Sequence, residues 1–489
     1  GAHPMTTHIC ISTQNQAANL LPALQLKADG MILLSSSEAD KRGWTANMKR
    51  VCDRRNLPLR IVRVPRDAED AADRMAATIQ PHLPGKDATI FWNMTGGKKS
   101  MTLGILSPFL RRGVEADRLI YTDNRPHRIM FYDHRLELCD ETPMDHFLEL
   151  EDLLNLNGFS AGGTGERLSE AEFGDWTAPF VAEYRTRPLF QEMAIRTMDK
   201  GPPQLDTQTG LREHVRRLLE THRPRYEKLL DPAPEPDDHA RGNLRKAILD
   251  LRAEPERKDL EPIIRHCNFF FWNQAKKRLV PELAGELAIP TAPIFSAPLS
   301  ESESEELERS MAAAGVSLRH PTRGLMRGNI LFPDKFGSVL ETATAWSFRE
   351  ALTAAGLERF LPHVFRNVKT YTLAGNGDQA DDEIDLAAVT PWGALLVFEV
   401  KGYYGEGGDV LRRRRDTAYT KSGIFGRAIF IDPLLASRRD AEGNFEDFFP
   451  SGLVENHRQI EATRGLQAWC FDEIGTRLPG LLATEKRDG

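Results

Sequence analysis

The sequence predicts an α/β fold in three regions: a parallel, doubly wound sheet at the amino terminus, a mostly helical middle, and an α/β region with a mixed sheet at the carboxyl end. Three observations carry this. Short β-rich runs alternate with longer helical patterns from Thr7 to about Cys139, as in a parallel sheet covered by helices. The texture then changes to charged, helix-compatible stretches punctuated by proline. Finally, two apolar runs joined by Pro391-Trp392-Gly393 begin a second sheet. At 489 residues the chain is long enough for about three cores.

The β runs of the first region are His8 to Ser12, Met31 to Ser35, Leu59 to Val64, Ala88 to Asn93 and Arg118 to Thr122. Helical patterns lie around Gln16 to Lys27, Glu38 to Asn56, Asp67 to His82 and Ser100 to Arg112. Ile129 to Tyr132 and Leu136 to Leu138 read as an added hairpin, which completes a first domain over 5–158. The middle region, 159–329, opens on Gly162, Gly163 and Gly165 and continues through helical stretches such as Leu211 to Leu230 and Asn243 to Arg252. Its cluster Phe269-Phe270-Phe271-Trp272 reads as core, with an exposed base-stacking platform as the alternative. The third region, 330–489, has a helical pattern from Ser338 to Gly356, the apolar hairpin, a strand at Ala428 to Ile431 and a further short strand around Ala468 to Phe471.

Composition narrows the function classes. Hydrophobic residues at 40% and charged residues at 28% fit a soluble globular protein, and no run approaches the roughly 20 apolar residues of a membrane span. Gly1-Ala2-His3-Pro4 before Met5 resembles a tag remnant, and no secretory signal follows. The five cysteines are scattered and never form a C-x-x-C pair, which argues against a zinc knuckle or disulfide framework and for a reducing cytoplasm. A net charge of −7 excludes polyanion binding by bulk charge, so contact with nucleic acid must be local. Arg412-Arg413-Arg414-Arg415 could supply it by neutralising phosphates, and a solvated basic face is the equal alternative.

Two motifs carry chemistry. Asn93-Met94-Thr95-Gly96-Gly97-Lys98-Lys99 falls between a predicted strand and helix, where backbone N–H groups and the helix dipole receive a phosphate. Trp92 stands where a P-loop needs its first glycine, and G-x-G-x-x-G is absent, so neither an NTPase nor a dehydrogenase is favoured. In strand order 3-2-1-4-5, a crevice opens at the carboxyl ends of the first and fourth strands. Those ends are Ser12-Thr13-Gln14-Asn15 and the Asn93 to Lys99 loop, a lining suited to phosphate and nucleobase. An ordinary Gly-Gly turn with solvent-facing lysines is the alternative.

The second motif is the hairpin, Ile384 to Val389 and Leu395 to Lys401. With the turn centred on Trp392, Asp385 and Glu399 are equidistant from it and face each other across the ladder, Cβ atoms roughly 5 Å apart. Lys401 projects from the same face as Glu399. Two carboxylates and an amine so placed suit a hard divalent ion, Mg²⁺ or Mn²⁺. Such an ion lowers the pKa of a bound water and neutralises charge on a phosphorane, while the ammonium holds the water or a phosphate oxygen. A surface hairpin with a cross-strand ion pair is the alternative, against which the buried-looking run Leu395 to Phe398 speaks. A helix beside the sheet can add Glu341 as a third carboxylate.

On these residues the first 150 or so resemble a CARF domain, the Rossmann-like sensor of CRISPR-associated proteins, of the subgroup with an Asn-x-Thr-Gly-Gly-Thr-Lys type loop. The segment Phe336 to Glu341, with Ile384-Asp385 and Glu399-Val400-Lys401, is similar to the PD-(D/E)xK nuclease domain that follows this sensor in CRISPR ancillary nucleases. The resemblance implies a homodimer binding cyclic tetra-adenylate across its two-fold axis, and a divalent-metal nuclease that cuts DNA, RNA or both in a type III CRISPR response. It implies activator contacts at Ser12, Thr13, Gln14, Asn93, Thr95, Gly96, Gly97 and Lys98. It implies a catalytic set of Glu341, Asp385, Glu399 and Lys401, the three carboxylates being the metal ligands. Lys98 departs from the threonine of many relatives, which leaves ring size and cleavage of the activator open. Two rivals stand beside this reading: a binding regulator with an inactive nuclease fold, and a ligand-independent restriction or repair nuclease.

Overall fold

The computed structural model describes residues 5–123, 127–174, 177–186, 191, 336–374, 380–400, 416, 419–421, 426–446 and 449–483. The first domain runs β1 (Thr6–Ile11), α1 (Ala17–Gln25), β2 (Gly30–Ser35), α2 (Ser37–Lys41), α3 (Trp44–Arg54), β3 (Leu59–Arg63), α4 (Ala72–Ile79), β4 (Thr89–Asn93), α5 (Lys99–Arg112), β5 (Arg118–Asp123), β6 (Arg128–Tyr132) and β7 (Leu138–Pro143). The sheet order is β3-β2-β1-β4-β5-β6-β7. The first five strands are parallel and β6 and β7 are added antiparallel, as the sequence predicts, though β7 lies at Leu138–Pro143 and not at the expected Leu136 to Leu138.

Alternation along the strands explains why both faces are buried. Ile9, Ile11, Ile32, Leu34 and Val62 point into one core with Met75 of α4 and Met101, Ile105 and Phe109 of α5. Cys10, Met31 and Leu33 point into the other with Leu20 and Leu21 of α1 and Met48 and Val51 of α3. The predicted helix Glu38 to Asn56 is in fact two, α2 and α3, parted at Arg42 and Gly43. A buried ion pair locks β4 to β5: Arg112 Nε lies 3.0 Å from Asp117 Oδ2, and Asp117 Oδ1 accepts the Ile90 amide at 2.9 Å.

After α6 (Leu150–Leu156) the chain crosses to a second sheet through β8 (Phe159–Ser160) and β9 (Glu166–Arg167), both paired with β10 (Val364–Thr372). Between them in sequence lie α7 (Thr177–Thr186) and α8 (Phe336–Ala354). Then follow β11 (Asp382–Val389), β12 (Leu395–Val400), β13 (Arg427–Asp432), α9 (Ser451–Ala462), β14 (Leu466–Cys470) and α10 (Ile474–Leu482). The order is β14-β13-β12-β11-β10-β8, with β9 also on β10. Strands β10, β11 and β12 are antiparallel and β12, β13 and β14 parallel, the mixed sheet the sequence predicts. The aromatic cluster Phe269 to Trp272 lies outside the described residues.

The two sheets share one core. Ala387, Val389, Leu395 and Val397 are buried in the same cluster as Leu20, Leu21 and Leu153 of the first domain. The opposite face is covered by α8, whose Phe348 ring meets Phe398 edge-on at 4.8 Å. Among the described residues, no helix is long and apolar enough to cross a membrane.

Candidate functional site

The crevice at the carboxyl ends of β1 and β4 is built from tightly wired polar side chains. Ser12 is buried, and its hydroxyl pairs with Thr45 Oγ1 at 3.0 Å and receives Gln16 Nε2 at 2.9 Å. Asn93, also buried, donates to the Ala18 carbonyl at 2.9 Å and accepts the Thr95 amide at 2.9 Å. Thr95 Oγ1 in turn accepts the Thr122 amide at 2.8 Å. Loop and strand ends therefore form one network, with Thr13 and Thr95 partly buried and Gln14, Gly97 and Lys98 exposed at the opening.

Both loop glycines are required by space. A Cβ on Gly96 would stand 2.5 Å from Thr13 Cγ2, and one on Gly97, whose φ is +99°, 2.7 Å from Ile11 Cγ2. The loop thus presses onto β1 and runs directly into α5, whose first-turn amides have no partner within the helix. Beneath it lies His8, fully buried 3.3 Å from Asn93 Nδ2, where burial pushes its pKa down to about 3.

Sequence reasoning missed Glu69, which no motif marks. Its buried carboxylate accepts the Ser37 amide at 3.0 Å, the Ser37 hydroxyl at 2.9 Å and Lys98 Nζ at 2.8 Å. Burial works to raise its pKa, but the hydrogen bonds from Lys98 and Ser37 hold it below the usual value, while that of Lys98 is raised by its bond to Glu69.

The second site lies where β11 and β12 part. Their register runs from Val389↔Leu395 to Leu386↔Phe398. Carried one step further, it sets Asp385 opposite Glu399 on one face. There the ladder opens: β11 stays with β10 as far as Asp382, and β12 stays with β13 as far as Val400. The Val400 amide, due to bond β11 in a continued ladder, donates instead to Asp385 Oδ2 at 2.7 Å. Glu399 is 3% exposed and Asp385 half-buried. Glu341 lies on α8, two turns before Phe348, and α8 covers the Phe398 face, opposite that of Glu399. Lys401 and Arg412 to Arg415 lie outside the described residues. Near the same end of β11, buried Lys421 Nζ pairs with Asp382 Oδ2 at 3.2 Å.

Carboxylate oxygens such as those of Asp385 and Glu399 are the ligand type that suits a hard divalent cation. The buried trio Asp432, His457 and Cys470, with ligand atoms within 4.8 Å of one another, is of another kind. Here Arg439 Nη2 lies 3.1 Å from His457 Nε2 and 3.8 Å from Cys470 Sγ, so a guanidinium already serves as the local cation. Burial pushes the Cys470 thiol far above its usual value, which removes it as a nucleophile.

The amino-terminal part is a Rossmann-like α/β domain with its polar crevice at the β1/β4 ends. Residues 10–152 match the family described as the Card1 CARF domain. The fold of the whole chain is similar to protein VC1899 from Vibrio cholerae, at 14% identity over 98% of this chain and 98% of that chain, with a TM-score of 0.55. It is also similar to Can2 from Sulfobacillus thermosulfidooxidans, solved in complex with cyclic tetra-adenylate, at 12% identity over 98% and 97% of the two chains and a TM-score of 0.50. No curated protein matches the chain.

Proposed function

We propose that this protein is a cyclic-oligoadenylate-activated, divalent-metal-dependent nuclease of type III CRISPR defence, acting in the cytoplasm as a homodimer. The sensor spans 5–158 and the PD-(D/E)xK nuclease 330–489, with β8 and β9 at the start of the middle region 159–329 completing the nuclease sheet. The observation that carries the reading is the opening of the β11–β12 ladder at Asp385 and Glu399, in a chain whose residues 10–152 match a CARF domain.

In this reading Asp385 and Glu399 would hold Mg²⁺ or Mn²⁺, with Glu341 of α8 proposed as the third carboxylate and Lys401, two residues after Glu399 in sequence, as the amine. Such an ion, when bound, would supply a water of lowered pKa and neutralise the negative charge that builds on the phosphoryl oxygens. Asp385 also anchors the Val400 amide and so fixes the backbone between Glu399 and Lys401. Arg412 to Arg415 receive the backbone of the nucleic acid, DNA or RNA. Cyclic tetra-adenylate lies in the crevice on Thr13, Gln14, Thr95, Gly96, Gly97 and Lys98, over the buried Ser12 and Asn93. Leu103 and Leu110, 56% and 43% exposed, lie one heptad apart on α5, which begins at the glycine loop. A second copy seated there would bring two crevices together.

A cleavage assay with Mn²⁺ or Mg²⁺, scanning cyclic oligoadenylates of different ring size against single- and double-stranded DNA and RNA, tests the proposal. Cleavage only with ring and metal together is the expected result. Cleavage without any ring would favour the restriction or repair rival, and ring binding without cleavage the regulator.

A further inference from the structure

The tip of the β11–β12 hairpin docks on the first domain beside the crevice. A Cβ on Gly393, whose φ is +77°, would stand 2.6 Å from Ala17 Cβ and 2.9 Å from Leu21 Cδ1, so the turn lies flush on the first two turns of α1. On its other side the Trp392 ring, 8% exposed, stacks on His127 with centroids 4.0 Å apart and planes 10° from parallel. We propose that Trp392 and Gly393 are positioning residues, a coupling element through which the crevice sets the spacing of Asp385 and Glu399. This rests on the two-site function proposed above.

Both anchors of the turn are tied to the crevice. The first turn of α1 is held by Gln16 Nε2 on Ser12 Oγ at 2.9 Å, by Asn19 Nδ2 on the Ile11 carbonyl at 2.7 Å and by Asn93 Nδ2 on the Ala18 carbonyl at 2.9 Å. His127 precedes β6, which pairs with β5, and β5 carries Thr122, bonded to Thr95 of the glycine loop at 2.8 Å. A ligand that engages Ser12, Asn93 or Thr95 therefore acts on the supports of Trp392 and Gly393.

The hairpin beyond them is stiff. Thr390 closes the turn, its amide donating to the Ala394 carbonyl at 2.9 Å and its Oγ1 accepting the Ala394 amide at 2.9 Å. From there the ladder is unbroken to Leu386 and Phe398, one residue short of the acidic pair. Seven residues of strand span about 20 Å, so a shift at Trp392 is carried to the open end of the ladder rather than absorbed on the way. A ligand biases only a state it binds differentially, and the docked turn gives the two sites a shared state to bias.

Trp392→Ala, compared with Trp392→Phe, tests this in the full-length protein. Three quantities are read: the Kd of cyclic tetra-adenylate, the ligand-induced change in amide exchange of 395–400, and the KM and kcat of cleavage at saturating ring. The expected result for Trp392→Ala is a Kd within about threefold of the unaltered protein, loss of the exchange change in β12, and a kcat at least tenfold lower with KM for nucleic acid held. Trp392→Phe restores both readouts. Should Trp392→Ala not fold, His127→Ala removes the stacked ring from a half-buried position and is read the same way. Full ring-dependent activation in folded Trp392→Ala or His127→Ala overturns the coupling role alone. Failure of the unaltered protein to bind the ring or to cleave overturns the functional reading and the coupling with it.

Discussion

Asp385 accepts the main-chain amide of Val400 at 2.7 Å, and Val400 is the residue between Glu399 and Lys401. One carboxylate therefore has two tasks in the proposed function, a charge for the metal and an acceptor for the Val400 amide. The tasks separate by substitution. Asp385→Asn keeps an acceptor oxygen for Val400 and loses the charge, so cleavage should vanish while thermal stability is held. Asp385→Ala should in addition lose about 1–3 kcal/mol through the unpaired amide. Glu399→Gln should abolish cleavage and leave ring binding intact, as checked by calorimetry beside the cleavage assay. Loss of ring binding in Glu399→Gln would contradict two separate sites.

Lys401→Ala should lower kcat by roughly a hundredfold or more, the usual cost of one transition-state donor. Metal affinity, titrated with Mn²⁺, should hold in that variant. A kcat within threefold of the unaltered protein would remove the lysine from the chemistry.

Lys98 lies 2.8 Å from Glu69, a buried carboxylate already served by Ser37. Lys98→Ala should weaken ring binding by roughly tenfold, as loss of one charge-assisted contact of 1.5 kcal/mol does. Turnover at saturating ring should be unchanged. Glu69→Gln frees the ammonium for phosphate and should tighten binding, most strongly at low ionic strength. An unmoved activation curve in both variants would place the glycine loop outside the pocket.

How much of this was legible follows from what each signal depends on. The strand order and the second sheet were readable because β runs buried on both faces, such as His8 to Ile11, differ in period from the helices between them. The hairpin register from Val389↔Leu395 to Leu386↔Phe398 was readable because a short turn leaves a hairpin little freedom, and these pairs share the sum that centres it on Trp392. The break at Gly43 was not, since helix propensity is summed over windows and one glycine within the stretch Glu38 to Asn56 weighs little. Glu69 and the trio Asp432, His457 and Cys470 were invisible for another reason. Their partners are 29 to 32 residues distant for Glu69 and 25 for Asp432, and only the packed fold brings them together.

Buried His8 and His457 give stability a maximum near neutral pH, by opposite signs. Burial lowers the His8 pKa from 6.5 to about 3, so between these values the unfolded chain binds a proton that the folded one refuses. Stability contributed by neutral His8 is complete above about pH 6.5 and falls on acidification at up to ~1.4 kcal/mol per pH unit. For His457 burial opposes the charge, but Asp432 Oδ2 at 2.5 Å from Nδ1 outweighs it and raises the pKa above 6.5. Glu461 Oε1, 3.3 Å from Nε2, acts in the same sense, and Arg439 against it. That contribution is complete below the unfolded value and is lost as pH rises through the folded one. Urea unfolding from pH 4 to 9 should show both limbs. His8→Gln should flatten the acid limb and leave the alkaline one, and His457→Gln should do the reverse. An acid limb of the same slope in His8→Gln would mean that carboxylates, not the imidazole beneath the crevice, govern acid unfolding.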